Sequence, residues 1–394
     1  MRLTGSARLT LVMTGLLAIV AGALVTGSIE ASHHPGGMDV MSIDMNVSGN
    51  TNAAVGTIQS CARINENNLV DADEEDILAI SGTVGTATAS TLTDPNASWL
   101  NNQWSGNRVV ITAGTGTGQT RVIASNTVNQ ITLTQTWATI PNGTSTYEIR
   151  FNDAVRVDTT AQGVPAYSDG GTPGNGADDT GGIVAYSFHL TYPAGVKVAA
   201  HTSTGAGVTM LTRNPGSSLF DASNATPDSD GLFAADVLDT GGSAEAGSGV
   251  LSRFVVQSAP GVPTSVYPLD LSENVHVDAS TSHFFPDTTN DRAFIAINIE
   301  CDSDGDQWPD SAEAVIGTDP FDHCPDIDSD NAWPPDFNND RQITGFDLGA
   351  IAAIIGQNVP PAPARKNIGA PADQGISGLD LSAVSFRIGR TCSN

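Results

Sequence analysis

Basic side chains are scarce in this chain of 394 residues. Lys and Arg number 16 against 43 Asp and Glu, which gives a formal net charge of −27 at pH 7. The field around such a polyanion repels phosphate backbones and anionic lipid headgroups. We therefore expect neither nucleic acid nor an anionic membrane surface as a partner.

Aromatic and charged residues are also few. They make up 6% and 15% of the chain, whereas Gly contributes 41 residues and Pro 21. This balance is more typical of turn-rich β proteins than of helical bundles. The composition predicts a mainly β fold.

Motifs of common catalytic sites are missing. The chain has no HExxH, and no GxSxG in a strand-to-helix context. Gly114, Gly116 and Gly118 fall between two predicted strands, 108–112 and 120–125, so they indicate a hairpin loop and not a phosphate cradle. The sequence leaves open a glycosidase site with paired carboxylates, because the separation of two carboxylates is a property of the fold. We predict that the protein is not an enzyme.

The N-terminus has the features of a secretory signal. Arg2 and Arg8 precede an apolar run from Leu9 to Val25, and small residues follow up to Ala31. Residues 1–31 are therefore predicted to be a signal peptide. An uncleaved N-terminal anchor is the alternative. We expect a secreted protein, extracellular or at the cell surface, with no membrane insertion after cleavage.

The cysteines form an even set of four. In a secreted protein this favours disulfides over free thiols. Zinc is less well supported, because no pair has Cys-x-x-Cys spacing and no His lies at ligand spacing. Of three possible pairings we expect Cys61–Cys301, near the two ends of the large β region, and Cys324–Cys392, which brackets the C-terminal region.

Period-two alternation predicts most of the strands outside residues 80–150. In the last of them Ile295, Ile297 and Ile299 should face the core and Ala296, Asn298 and Glu300 the solvent. Strands separated by turn residues, without helical periodicity between them, predict an antiparallel sandwich. The predicted strands are 42–47, 154–158, 183–192, 196–200, 250–256, 266–271, 274–277 and 293–300.

Three of these segments carry a family resemblance. IVAYSFHLTYPAGVKV (183–198), GSGVLSRFVVQS (247–258) and VYPLDLSE (266–273) resemble cohesin-type domains. The resemblance implies a jelly-roll β-sandwich that binds dockerins. It places a first part of the sandwich at 32–79 and its main part at 151–300.

Residues 80–150 differ in composition, being rich in Thr and Gly and nearly free of acidic side chains. We predict a small β module inserted in a loop of the sandwich, since insertion is tolerated where loop ends lie close together. Trp99, Trp104 and Trp137 fall within it. These rings supply either the core of the module or a surface for stacking on sugars, and the core is favoured.

The strongest ligand pattern lies at 302–313 (loop A), where the chain reads DSDGDQWPDSAE. Oxygen ligands at positions 1, 3, 5, 9 and 12 and a carbonyl at position 7 match an EF-hand calcium loop. Together with GTDP at 317–320, loop A resembles thrombospondin type 3 calcium repeats, and residues 301–325 form a calcium-binding repeat or linker. A solvated acidic turn is the alternative. The predicted ligands are Asp302, Asp304, Asp306, Trp308, Asp310 and Glu313.

A second pattern of the same kind lies at 336–347 (loop B) and precedes an apolar stretch, 348–355. At an offset of 33, seven of the fourteen residues in 343–356 recur in 376–389. This duplication resembles a type I dockerin, a small helical EF-hand-like domain that we place at 326–394; an unliganded polar turn is the alternative. The predicted ligands of Ca²⁺ are Asp336, Asn338, Asp340, Gln342, Thr344 and Asp347.

The second half of the duplication, 367–380 (loop C), departs from the pattern. Allowing a two-residue insertion recovers Asn367 and Asp373 besides Asp380, but leaves Gly369 at position 3. We predict a weak or empty site. Position 6, normally Gly because its backbone is left-handed, is Gln307 in loop A, and Arg341 and Gln374 occupy it in loops B and C.

The resemblance to dockerins also implies which residues contact a partner. Loop positions 10 and 11 correspond to Gly345 and Phe346, and by the repeat to Gly378 and Leu379. The alternative is that both large side chains pack between the helices of the tail.

The leading interpretation is a secreted, non-catalytic scaffold that assembles through cohesin and dockerin-type surfaces, with a second copy or with other proteins. Such assemblies often break down polysaccharides. The rival interpretation is a carbohydrate-binding or adhesive surface protein in which calcium stiffens the tail.

Overall fold

The computed structural model describes residues 39–67, 76–168, 171, 181–241, 244–278, 283–284, 286–325, 327, 329–369 and 371–392. The expected signal peptide lies outside them. Within these ranges no helix is long and apolar enough to span a membrane. The chain divides into two compact units, residues 1–263 with 267–293, and residues 264–266 with 294–394.

The protein is mainly β, as predicted. Its strands are β1 (Val40–Asp44), β2 (Cys61–Ile64), β3 (Leu78–Thr83), β4 (Thr86–Ala87), β5 (Thr91–Thr93), β6 (Arg108–Ala113), β7 (Thr120–Asn126), β8 (Gln130–Leu133), β9 (Thr146–Arg150), β10 (Ala154–Val164), β11 (Ala185–Thr191), β12 (Val196–Thr202), β13 (Leu219–Asp221), β14 (Leu232–Asp239), β15 (Gly247–Ser258), β16 (Ser265–Val277), β17 (His283–Phe284), β18 (Asp287–Asn290) and β19 (Arg292–Ile297). The helices are α1 (Asp310–Ile316), α2 (Gly345–Ala352) and α3 (Gly378–Ser385), with 3-10 turns at Met210–Thr212, Ala364–Lys366 and Pro371–Asp373.

Two sheets form the sandwich. One has the order β12–β15–β10–β1–β18, and the other has the order β13–β14–β11–β16–β19–β2 with β17 beside β16. Phe254 of the first sheet packs edge-on against Phe188 and Phe233 of the second, at centroid distances of 6.1 and 5.5 Å. All three rings are fully buried. The sheets therefore lie face to face around an aromatic core.

The sandwich differs from the sequence prediction in several details. Strands β2, β13, β17 and β18 were not predicted, and the predicted strands 266–271 and 274–277 are one strand, β16. The sandwich is not wholly antiparallel, because β1 pairs with β18 in parallel. Strand β14 was not predicted, because Ala234, Ala235 and Asp236 have low strand propensity. It forms because both of its edges pair, with β11 and with β13. In β19, Ala296 was expected to face the solvent but is fully buried. Ile299 was expected to face the core but lies beyond the end of the strand and is exposed.

The inserted module is a seven-stranded sheet of its own, in the order β3–β9–β6–β7–β8–β5–β4. Antiparallel pairing of Leu78 with Arg150 brings its two ends together. Trp99, Trp104 and Trp137 are buried in the module's core, as the core interpretation predicted. These indoles therefore offer no open face for stacking on a sugar.

The helical unit has a separate core. It includes Trp308, Ile316, Ile343, Ile351, Ile368, Ile376 and Val384. Ile343 exchanges backbone hydrogen bonds with Gly389 and Arg390, and Ile376 does the same with Gly356 and Gln357. Each half of the duplication thus pairs with the end of the other half, so the two halves share one core.

Disulfides, and not free thiols, are confirmed. Cys324 and Cys392 are bonded and close the helical unit over 68 residues. Cys61 and Cys301 are also disulfide-bonded, and no described cysteine is free.

Candidate metal loops and exposed surface

Loop A brings three of its six predicted ligands close together. Carboxylate oxygens of Asp302, Asp304 and Asp306 lie within 4.8 Å of one another. One oxygen each of Asp304 (Oδ2), Asp306 (Oδ2) and Glu313 (Oε2) is buried and accepts no hydrogen bond from the described residues. Buried acceptors without a partner are costly, and a cation is one way to satisfy them.

The backbone of loop A is shaped by its own side chains. Asp302 accepts from the N–H groups of Gly305 and Gln307, at 2.8 and 3.0 Å. Asp306 Oδ1 accepts from the N–H of Trp308 at 2.7 Å. Gln307 is left-handed, with φ 81°. The loop therefore curls so that alternate side chains point inward, as an EF-hand loop requires.

Asp310 does not join the cluster. Its two carboxylate oxygens accept from the N–H and the hydroxyl of Ser303, both at 2.7 Å. It also begins helix α1. In this structure Asp310 holds the loop in shape, although the spacing predicted it as a ligand.

Electrostatics in loop A disfavour the charged carboxylates when no cation is near. Burial, reinforced by Asp306 and Asp304, raises the pKa of Glu313 to about 9. Burial and Asp302 raise the pKa of Asp306 to about 7. Four hard oxygen donors, several of them unpartnered, fit Ca²⁺, and Asp302, Asp304, Asp306 and Glu313 are the side chains that would hold it.

Loop B repeats the hydrogen bonds of loop A. Asp336 is fully buried and accepts from the N–H groups of Asp340 and Arg341, at 3.3 and 2.8 Å. Asp340 Oδ1 accepts from Gln342 N–H at 2.9 Å. The Oδ1 of Asn338 is buried and accepts nothing within the described residues.

The end of loop B is tied to helix α2. Arg341 is left-handed, with φ 65°. Thr344 caps the helix in a capping box with Asp347. Asp347 Oδ1 also accepts from Phe337 N–H at 2.8 Å. The donor set of loop B, with Asp336, Asn338 and Asp340, also fits Ca²⁺.

Loop C keeps the left-handed residue and the capping box of loop B, but it has Asn367 at position 1 and Gly369 at position 3. Gln374 is left-handed, with φ 57°, and Ser377 forms a capping box with Asp380. Asp373 Oδ1 accepts from Gly375 N–H at 3.0 Å. The Oδ1 of Asn367 is buried without a donor in the described part of the chain.

Gly369 is required by packing. A Cβ there would lie 2.4 Å from the backbone carbon of Leu379. The N–H of Gly369 donates to Asp380 Oδ1 at 2.9 Å, so the loop rests directly on the start of helix α3. This contact takes the place of the third ligand position.

The predicted contact residues are exposed. Phe346 is 64% and Leu379 56% exposed, so the alternative that they pack between the helices is wrong. Gly345 and Gly378 beside them are exposed as well. Sequence reasoning missed Phe386, 82% exposed, which stands where the first half has Ala353. That difference between the halves was the signal that could have revealed it.

No protein-family model and no curated protein matches the chain. Solved structures do match over 37% of it. They include a type I cohesin–dockerin complex from Clostridium thermocellum (20% identity, 89% of that chain, TM-score 0.27). Others are a non-cellulosomal cohesin from Archaeoglobus fulgidus (10%, 81%, 0.25) and a cohesin module of a family 33 glycoside hydrolase from Clostridium perfringens (13%, 87%, 0.26).

TM-scores of this size do not establish a shared fold. The sandwich rests instead on its own strand order and on the face-to-face packing of its two sheets.

Proposed function

We propose that this is a secreted, non-catalytic binding protein that assembles with protein partners through a calcium-ordered tail. Loops A and B hold Ca²⁺, and helices α2 and α3 present the contact residues. The partner is a cohesin-type sandwich, on another protein or on a second copy of this chain.

The observation that carries the proposal is the paired exposure of Phe346 and Leu379. Each follows a capping residue and an exposed glycine, and each is followed by a fully buried aspartate, Asp347 or Asp380. Large apolar side chains held in water on a rigid helix start are typical of contact surfaces. The duplication repeats this arrangement, which favours binding over chance exposure.

Two further observations support an extracellular scaffold. Disulfides persist in oxidising compartments and are rare in the cytosol. The sandwich and its inserted module have buried hydrophobic cores and lack the sequence motifs of common enzymes. In the cohesin-like interpretation the sandwich is the second binding domain, and the setting is an extracellular assembly acting on polysaccharide.

The test uses the mature full chain, residues 32–394. Sedimentation velocity in calcium and in EDTA measures self-association, and titration calorimetry measures binding to a recombinant type I cohesin. We expect micromolar or tighter binding in at least one assay, lost in EDTA and in Phe346→Ala/Leu379→Ala.

The matched control is Val315→Ala. Val315 is also an exposed aliphatic residue on a helix of the same unit, outside the contact positions. The Val315→Ala variant should bind with the same affinity as the parent chain. A chain that stays monomeric and binds no cohesin at high concentration, in calcium, contradicts the proposal.

A further inference from the structure

Loop C holds the shape of a calcium loop without the ligands for one. Its left-handed Gln374 and its capping box match those of loop B. Only Asp373 and Asp380 carry charge, and both carboxylates accept backbone hydrogen bonds within the loop. Contacts from outside the loop must therefore stabilise loop C in the way that a bound ion stabilises loops A and B.

Trp308 of loop A provides such a contact. Its ring is almost fully buried, and its Nε1 donates to the carbonyl of Ile368 at 3.2 Å. Ile368 is itself buried in the same core. The guanidinium of Arg387, from the turn after α3, lies 4.1 Å from the centre of the indole. The indole thus joins both ends of the second half of the repeat.

Helix α1, which closes loop A, contacts the same region. It touches the 3-10 turn at Ala364–Lys366 and the one at Pro371–Asp373, on either side of Ile368. Loop A is therefore part of one packed body with loop C and is not a separate linker.

The indole is also tied to the candidate metal site. The N–H of Trp308 donates to Asp306 Oδ1 at 2.7 Å, while Asp306 Oδ2 is one of the unpartnered buried oxygens. The left-handed Gln307 directly precedes Trp308. Because one short turn connects them, we expect a rearrangement of the carboxylates in loop A to shift the indole.

We propose that calcium in loop A orders loop C through Trp308, so that the positions of the two exposed contact residues depend on different bound ions. Leu379, near the end of loop C, depends on loop A, and Phe346 depends on loop B. This inference rests on the calcium binding of the proposed function but not on the identity of the partner.

Hydrogen exchange of the full mature chain tests it, with two matched variants at position 5. Asp306→Asn removes a ligand charge from loop A and keeps an oxygen for the Trp308 N–H, and Asp340→Asn makes the same change in loop B. In calcium, Asp306→Asn should speed exchange in 371–380 at least about tenfold and leave 336–347 within about twofold. Asp340→Asn should speed exchange in 336–347 at least about tenfold and leave 371–380 within about twofold.

The parent chain gives a second measurement that needs no variant. In a calcium titration, protection of 371–380 should rise together with 302–313 and not with 336–347. Trp308→Phe, which loses the indole donor, should weaken protection of 371–380 more than Trp333→Phe, a change at another buried tryptophan of the same core.

The outcomes separate this inference from the proposed function. Protection of 371–380 that survives Asp306→Asn, that follows loop B, or that is lost together with the whole unit overturns the inference alone. Absence of calcium-dependent protection in every loop overturns it together with the calcium-dependent part of the proposed function.

Discussion

Loops B and C are related by the 33-residue repeat and share a left-handed residue and a capping box. In loop B, Asp336 and Asp340 accept backbone hydrogen bonds and the Oδ1 of Asn338 is buried without a donor among the described residues. In loop C, Gly369 packs on the start of α3 and Trp308 donates a hydrogen bond to Ile368. The difference shows that one backbone shape can be kept by ion ligands or by close packing. Calcium should therefore act directly in loop B and, through Trp308 of loop A, indirectly in loop C.

The largest effect should come from removing calcium altogether. At free calcium 100 times the dissociation constant, each site contributes about 2.7 kcal/mol, so two sites contribute about 5 kcal/mol. For a unit of this size the thermal midpoint should fall by about 20 °C in EDTA. Scanning calorimetry of the full chain measures it, with magnesium as the control cation; an unchanged midpoint would rule out calcium in both loops.

A matched pair of substitutions should separate loop B from loop C. Asp340→Asn should remove one bound calcium per chain and about 2.7 kcal/mol of calcium-dependent stability. Asp373→Asn, at the equivalent position, should change neither by a measurable amount, because loop C has Asn367 at position 1 and Gly369 at position 3 and so lacks the other ligands. Titration calorimetry and urea unfolding give both numbers. Equal losses in the two variants would mean that loop C binds calcium as well.

Packing in loop C should be sensitive to a single methyl group. Gly369→Ala places a Cβ against the backbone of Leu379 and should cost about 1–3 kcal/mol, with or without calcium. Gly349→Ala is the control, since its Cβ meets open space inside helix α2 and should stabilise by about 0.5–1 kcal/mol. Urea unfolding in EDTA measures the change in the free energy of unfolding for both variants. If Gly369→Ala leaves that free energy unchanged, the close approach of the two backbones does not require glycine.

The smallest effect concerns the left-handed residues. Gln307→Gly and Arg341→Gly should relieve about 1–2 kcal/mol of backbone strain and tighten calcium binding roughly tenfold. Gln374→Gly should relieve similar strain in loop C without altering calcium affinity. Affinity that is equal or weaker in the first two variants would show that the strain is not coupled to binding.

Much of this architecture was readable from the sequence because it depends on local pattern. Period-two alternation located strands such as β11 and β15, and the spacing of aspartates located loops A and B. The 33-residue repeat placed Phe346 and Leu379 at equivalent sites, and both are exposed. These features were predictable because strand faces and loop ligands follow fixed sequence periods.

Other features depend on contacts that local sequence patterns do not reveal. Strand β14 exists because two neighbouring strands pair with it, against the low propensity of its own residues. Asp310 has the spacing of a ligand, but Ser303 lies close enough to take both of its oxygens. The burial of Trp308 against Ile368, 60 residues away, has no local signature.

The sequence by itself determined the mainly β class, the duplicated tail, the disulfide state and the acidic loops, because periodicity, spacing and residue type encode them directly. Only the tertiary structure decided which carboxylate oxygens lack a hydrogen-bond partner and which aspartates are satisfied by the backbone. It alone decided that loop A packs into the core of the tail. The physical reason is that burial and hydrogen-bond satisfaction are set by neighbours brought together through folding, and one chain segment does not specify its neighbours.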